Sequence, residues 1–316
     1  MADNQINEQV KQDNAAVAPI AGKKKVTIGY VFFSLIPLAV FLMIETVCQM
    51  PFIILSIVDV TKETKTMELN RALNFTERFM EVFNERYAFY AYLLYAVVGL
   101  VVFGIWYYKA FVKKGDRVKF SQCFGVKSVV ATVLVVVGFY FSINAVLTLI
   151  SQLLPELMAS YNEILELAGI GTNPLVTLIY AVLLGPVLEE LVFRGVIYSY
   201  LEKSGIRPTF IILITGIMFG FVHLNVVQGT YAAVLGFLFG FLRYKYRSIK
   251  LTIFAHILLN FTGTYGEMAL LKLGLSDSVL IILGGIALFV IVFAVVLVNG
   301  DKKAFKASNE SKEQLN

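Results

Sequence analysis

Charged side chains are scarce in this chain: they make up 16% of its 316 residues, against about 25% in an ordinary soluble domain. Hydrophobic residues reach 58%, against about 45–50%. Cysteine is nearly absent. Cys48 lies inside an apolar run and Cys123 in a basic stretch, so a disulfide framework is excluded and both are expected reduced. There is no C-x-x-C, no phosphate-binding glycine loop and no H-E-x-x-H helix, which removes the usual redox, nucleotide and zinc-protease signatures. No internal repeat occurs, and no low-complexity segment outside the tails. The net charge of +5 does not imply nucleic acid, because basic excess in so apolar a chain reports on membrane topology.

What is abundant is long apolar sequence. A run of about 20 apolar residues spans the hydrocarbon layer as a helix. Such runs read at 27–58, 88–110, 126–153, 173–201, 208–225, 229–243, 250–266 and 278–299. The expectation is an all-α, polytopic bundle of about eight spans over residues 26–299, between polar tails 1–25 and 300–316. The intervening segments alternate in charge. Lys23–Lys25, the group from Lys109 to Lys127, Lys203 with Arg207, Arg243–Lys250 and Lys302–Lys306 are basic, whereas 59–87, 154–172 and 267–277 are acidic or mixed. By the positive-inside rule the basic set is cytoplasmic, and eight spans with both termini inside satisfy every loop. Apolar residues at three- and four-residue spacing in 67–87 and 155–168 predict two amphipathic helices, packed on the protein rather than anchored in lipid.

Ionisable groups inside such runs are costly and mark function. They concentrate in three spans: Glu189, Glu190 and Arg194 in the fourth, His223 in the fifth, His256 with Asn260 in the seventh. The only two histidines of the chain are among them. Glu190 and Arg194 are four apart and pair along one face; Glu189 is rotated by about 100° and lacks that partner. One carboxylate is then held ionised by the guanidinium, and the other, Glu189, is expected to be desolvated and thereby poised as a general base. His256 and Asn260 share a face, as do Phe219 and His223, the phenyl ring walling the site. Pro186 can kink the helix and admit water beside Glu189, or be merely tolerated. Counting from the cytoplasmic ends places His256, Glu189 and His223 at depths of roughly 9, 20 and 22 Å, which scatter more than one site allows. The pair Gly236-x-x-x-Gly240 predicts close helix packing.

Glu189-Glu190-x-x-x-Arg194, then Phe219-x-x-x-His223, then His256-x-x-x-Asn260 resembles the three-motif pattern of the CAAX protease and bacteriocin-processing (CPBP, or Abi) family, which includes the type II CAAX prenyl endopeptidases. The likeness covers about 173–265. It implies an intramembrane endopeptidase cutting near the cytoplasmic face. In that reading Glu189 and His223 activate the water, His256 and Asn260 stabilise the oxyanion, and Glu190 and Arg194 orient and support the site. The family is often described as metalloproteases, and His223, His256 and one carboxylate, Glu189 or else Glu190, would be the zinc ligands if the enzyme is zinc-dependent. The metal-free mechanism, requiring no cofactor, is preferred because it gives Asn260 a task. The expected partners are the lipid bilayer and a membrane-associated protein or peptide: a prenylated C-terminus, a bacteriocin or pheromone precursor, or a membrane segment. The expected location is a bacterial plasma membrane. Two other readings use the same residues: a catalytically silent immunity or binding protein, and a proton-coupled transporter.

Overall fold

The computed structural model of the chain describes residues 26–65, 75–113, 123–167 and 174–301. All regular structure among them is helical: α1 (Ile28–Lys65), α2 (Phe75–Val112), α3 (Val126–Leu153), α4 (Pro155–Leu167), α5 (Val176–Lys203), α6 (Pro208–Phe221), α7 (Val226–Tyr246), α8 (Ile249–Leu273) and α9 (Asp277–Asn299). This is what a chain of apolar runs must do in lipid, where each backbone polar group needs an internal partner.

Six helices, α1, α2, α3, α5, α7 and α9, are long and apolar enough to cross a membrane. The count of eight adds α6 and α8. α6 has only 14 residues, about 21 Å, against a hydrocarbon layer of about 30 Å. It stops at Phe221, not at the expected 225, so His223 lies in the turn beyond the helix. The surface helix expected over 67–87 is also corrected. Its described part, from Phe75, runs unbroken into the second span as one 38-residue helix. An ionic clamp holds that extension to the end of α1: Arg78 and Arg86 both pair with Glu63, at 2.8 and 3.0 Å, and Asp59 accepts from Tyr87 at 2.6 Å. The second expected amphipathic helix is α4, and it packs on α3 and α7, with Tyr161 and Tyr231 hydroxyls 3.1 Å apart. Of the polar tails, only Gly300 and Asp301 fall within the described residues; Asp301 accepts a hydrogen bond from Tyr246.

α5 is the hub, in contact with α1, α2, α6, α7 and α8, and Val192 to Ser199 are all buried. A stretch of helix buried on every side can hold polar groups away from lipid on all of them. Beside it, α6 and α7 approach so closely that a Cβ on Gly236 would lie 2.6 Å from Gly216 Cα, and one on Gly220 would lie 2.4 Å from Gly229 O. Gly236→Val is therefore expected to force the pair apart and destabilise the protein by about 1–3 kcal/mol. Gly263→Ala, which meets nothing within 4 Å, is the neutral control, and thermal unfolding in detergent distinguishes the two.

Candidate active site

The fourth-span carboxylates sit on a short α-helical stretch of α5, Gly185–Glu190, between two π-helical stretches, Val176–Leu184 and Leu191–Ile197. Widened turns of this kind recur at functional sites. Glu190 is completely buried. Its Oε1 accepts from Arg194 Nη1 at 2.9 Å, the expected pairing along the helix, and from His256 Nδ1 at 3.1 Å. Thr252, one turn before His256, also faces this carboxylate. Arg194 spends Nη2 on Gly236 O at 3.1 Å, and its guanidinium lies 4.6 Å from the Phe219 ring centre and 5.6 Å from that of Phe239. A buried cation is thus held by a carboxylate, a carbonyl and two ring faces.

His256 bridges the two carboxylates. Its Nδ1 is committed to Glu190, while Nε2 faces Glu189 Oε2 at 3.7 Å. The Glu189 side chain is 22% exposed, whereas that of Glu190 is 0% exposed. Adjacent residues of one helix therefore occupy opposite environments, as their 100° separation dictates, but the desolvated carboxylate is Glu190, which is buried with its cation, and not Glu189 as the sequence predicts. These contacts place His256 level with the carboxylates, so the depth scatter expected from sequence does not hold. α5 extends past the start of α8 on the side where α8 begins, by enough to offset the unequal counts.

His223 joins the cluster through Phe219. Its ring stands edge-on to Phe219 with centroids 5.0 Å apart, and Phe219 meets His256 in the same manner at 5.7 Å. His223 Nδ1 lies 2.8 Å from Phe219 O. That carbonyl belongs to the last turn of α6, where helical carbonyls lack backbone donors. A carbonyl only accepts, so Nδ1 carries a proton, and in the neutral ring Nε2 is then the acceptor. Leu224 follows in the left-handed region, φ 51°, which turns the chain into α7; Asn225 caps that helix by accepting from Gln228 N. Strain of this sort in a non-glycine residue persists where the surroundings fix it. Asn260, one turn beyond His256, donates Nδ2 to Ala181 O in the first π-helical stretch, at 2.7 Å.

Glu45 lies outside the three sequence motifs. It lies on α1, on the side of the helix that carries buried Phe41, Ile44 and Cys48, and it interacts electrostatically with Glu189 and with Tyr92, Tyr95 and Tyr180. Its signal was available, because a lone carboxylate in an apolar run is conspicuous by the same rule that found Glu189. Thr252, Phe239 and Arg243, whose Nε donates to Arg194 O at 3.2 Å, had no such signal.

Among the described residues no three His, Cys, Asp or Glu side chains are disposed to hold a metal ion. Both Nδ1 atoms are hydrogen-bonded, to Glu190 and to Phe219 O, which leaves the two Nε2 atoms as the open ring positions, and His223, His256 and Glu189 do not converge as a three-residue ligand set.

Residues 171–262 match the family model described as type II CAAX prenyl endopeptidase Rce1-like. Over 84 residues, 26% of this chain, the sequence is 36% identical to the Bacillus subtilis (strain 168) protein named "Putative membrane peptidase YdiL". The chain spans about a third of that relative's length, 34%. No solved structure matches. The matched segment contains Glu189, Glu190, Arg194, His223, His256 and Asn260, and in this segment the chain is similar to the type II CAAX prenyl endopeptidases.

Proposed function

We propose that this protein is an intramembrane endopeptidase that hydrolyses a peptide bond of a membrane-associated protein or peptide, using water activated by Glu189 and His223. The observation that carries the proposal is the division of labour on α5. Glu190 is buried and spent on Arg194 and His256, while Glu189, one residue away, stays accessible beside the same imidazole. A structural ion pair needs only the first of these. A hydrolase needs both, because a base must reach water while its neighbours are held still.

In this reading Glu189 takes the proton of the attacking water, with His223 Nε2 as the second acceptor that orients it. The resulting tetrahedral intermediate carries an oxyanion. Asn260 has a second N–H beyond the one given to Ala181, and that N–H serves the oxyanion. His256, its Nδ1 held by Glu190 and its Nε2 facing Glu189, is the second group assigned to the oxyanion. The leaving amine recovers the proton from Glu189. Eight spans with both termini cytoplasmic remain the topology that fits the charge pattern, and put the basic loops on the side where α8 begins. The apolar groove between α6 and α7 next to the His223 turn, lined by Ile217, Phe221, Leu224, Val226, Val234 and Phe237, suits a substrate presented from lipid.

The test is cleavage of a quenched fluorescent peptide library by the purified protein. Asn260→Ala is expected to lower kcat by about 10²–10³, the usual cost of one oxyanion donor, with KM little changed. Unchanged kcat in that variant would remove Asn260 from the mechanism.

A further inference from the structure

Asn260 is bonded to a carbonyl that an uninterrupted α-helix would not leave open. In a regular helix Ala181 O would accept from Gly185 N–H, four residues on. Here the turn is widened, and Gly185 N–H goes to Tyr180 O, five residues back. In that register the next donor, for Ala181 O, would be the N–H of residue 186. That residue is Pro186, which has none. Ala181 O is thereby denied both backbone donors, and Asn260 Nδ2 occupies the vacant direction at 2.7 Å. An interior carbonyl with no donor is costly, so the side chain is held firmly.

We propose that Pro186 is a positioning residue: by withholding a backbone N–H three residues before Glu189, it makes Ala181 O the acceptor that fixes the Asn260 amide. Holding one N–H of that amide on α5 sets the amide plane and therefore the direction of the other N–H. The proline thus acts at a distance from the reacting atoms, through a carbonyl on its own helix and a side chain on α8. It also locks α8 to α5 at the level of the site. The consequence for catalysis rests on the reading of Asn260 as the oxyanion donor; the consequence for side-chain position does not.

The experiment is a double-mutant cycle with Pro186→Ala, Asn260→Ala and the double variant, read both by thermal unfolding in detergent and by kcat and KM. Alanine restores an N–H at position 186 without breaking the helix. Asn260→Ala is expected to lower the melting temperature of the otherwise wild-type protein. It is expected to lower it less than half as much when combined with Pro186→Ala, where the new N–H satisfies Ala181 O. Pro186→Ala is expected to lower kcat by about 10–100-fold at constant KM, the cost of a displaced catalytic group, and to cost nothing further once Asn260 is gone. Additive melting shifts would overturn the positioning role. Coupled melting shifts with full kcat in Asn260→Ala would instead retain the positioning and overturn the oxyanion reading. A backbone ester, lactic acid at position 186, lacks both the ring and the N–H. It is expected to behave as wild type in both assays; behaviour like Pro186→Ala would assign the effect to the ring and sink the proposal.

Discussion

Arg194→Met is expected to leave little well-folded protein in detergent. The guanidinium and the Glu190 carboxylate are both wholly removed from solvent, 2.9 Å apart. Taking away one member leaves the other as an uncompensated buried charge, at a cost of about 3–5 kcal/mol. That is a large share of the about 5–15 kcal/mol by which proteins are ordinarily stable. The loss extends beyond the pair, since Arg194 also anchors α5 to α7 through Gly236 O and fills the space between Phe219 and Phe239. Size-exclusion profiles and melting curves read the effect. The double replacement Glu190→Met with Arg194→Met is expected to recover part of the stability, because no charge is then stranded, yet to stay inactive, because His256 has lost its anchor. Equal instability of single and double variants would mean that packing around Arg194, not its charge, holds these helices.

Glu189→Gln is expected to do the reverse: a stable protein with almost no activity. Its side chain makes no hydrogen bond that the fold depends on among the described contacts, and the imidazole it faces, His256, is already anchored by Glu190. An amide of the same shape cannot take a proton from water. The expected loss is about 10²–10⁴ in kcat, the range for removal of a general base, with KM little affected. Melting temperature should stay close to wild type. A large fall in stability together with activity would reassign Glu189 to the structural framework.

Much of this site was legible in the sequence because the membrane makes polar residues expensive. Six of them in three apolar runs, at four-residue spacing, predict pairing of Glu190 with Arg194 and a common face for His256 and Asn260, and the structure has the first bond at 2.9 Å. The same rule applied to the first span would have found Glu45. Other parts were illegible for physical reasons. Depth counts failed because they assume that helices begin at a common plane, whereas α5 overruns α8. The surface helix expected over 67–87 failed because an amphipathic pattern does not reveal whether the helix ends before the next span; from Phe75 it does not. Nor could spacing show that Asn260 reaches Ala181. That bond depends on a π-helical register, and the proline that leaves the carbonyl open reads in sequence only as a kink.

The central claim is hydrolysis of a peptide bond by water activated at Glu189. Its most direct test is to incubate purified wild type and Glu189→Gln side by side with the quenched peptide library, with and without a strong zinc chelator, and to weigh the fragments by mass spectrometry. Fragment pairs that sum to the substrate plus one water are expected from wild type in both conditions and from the variant in neither. Equal cleavage by the two proteins would contradict the claim.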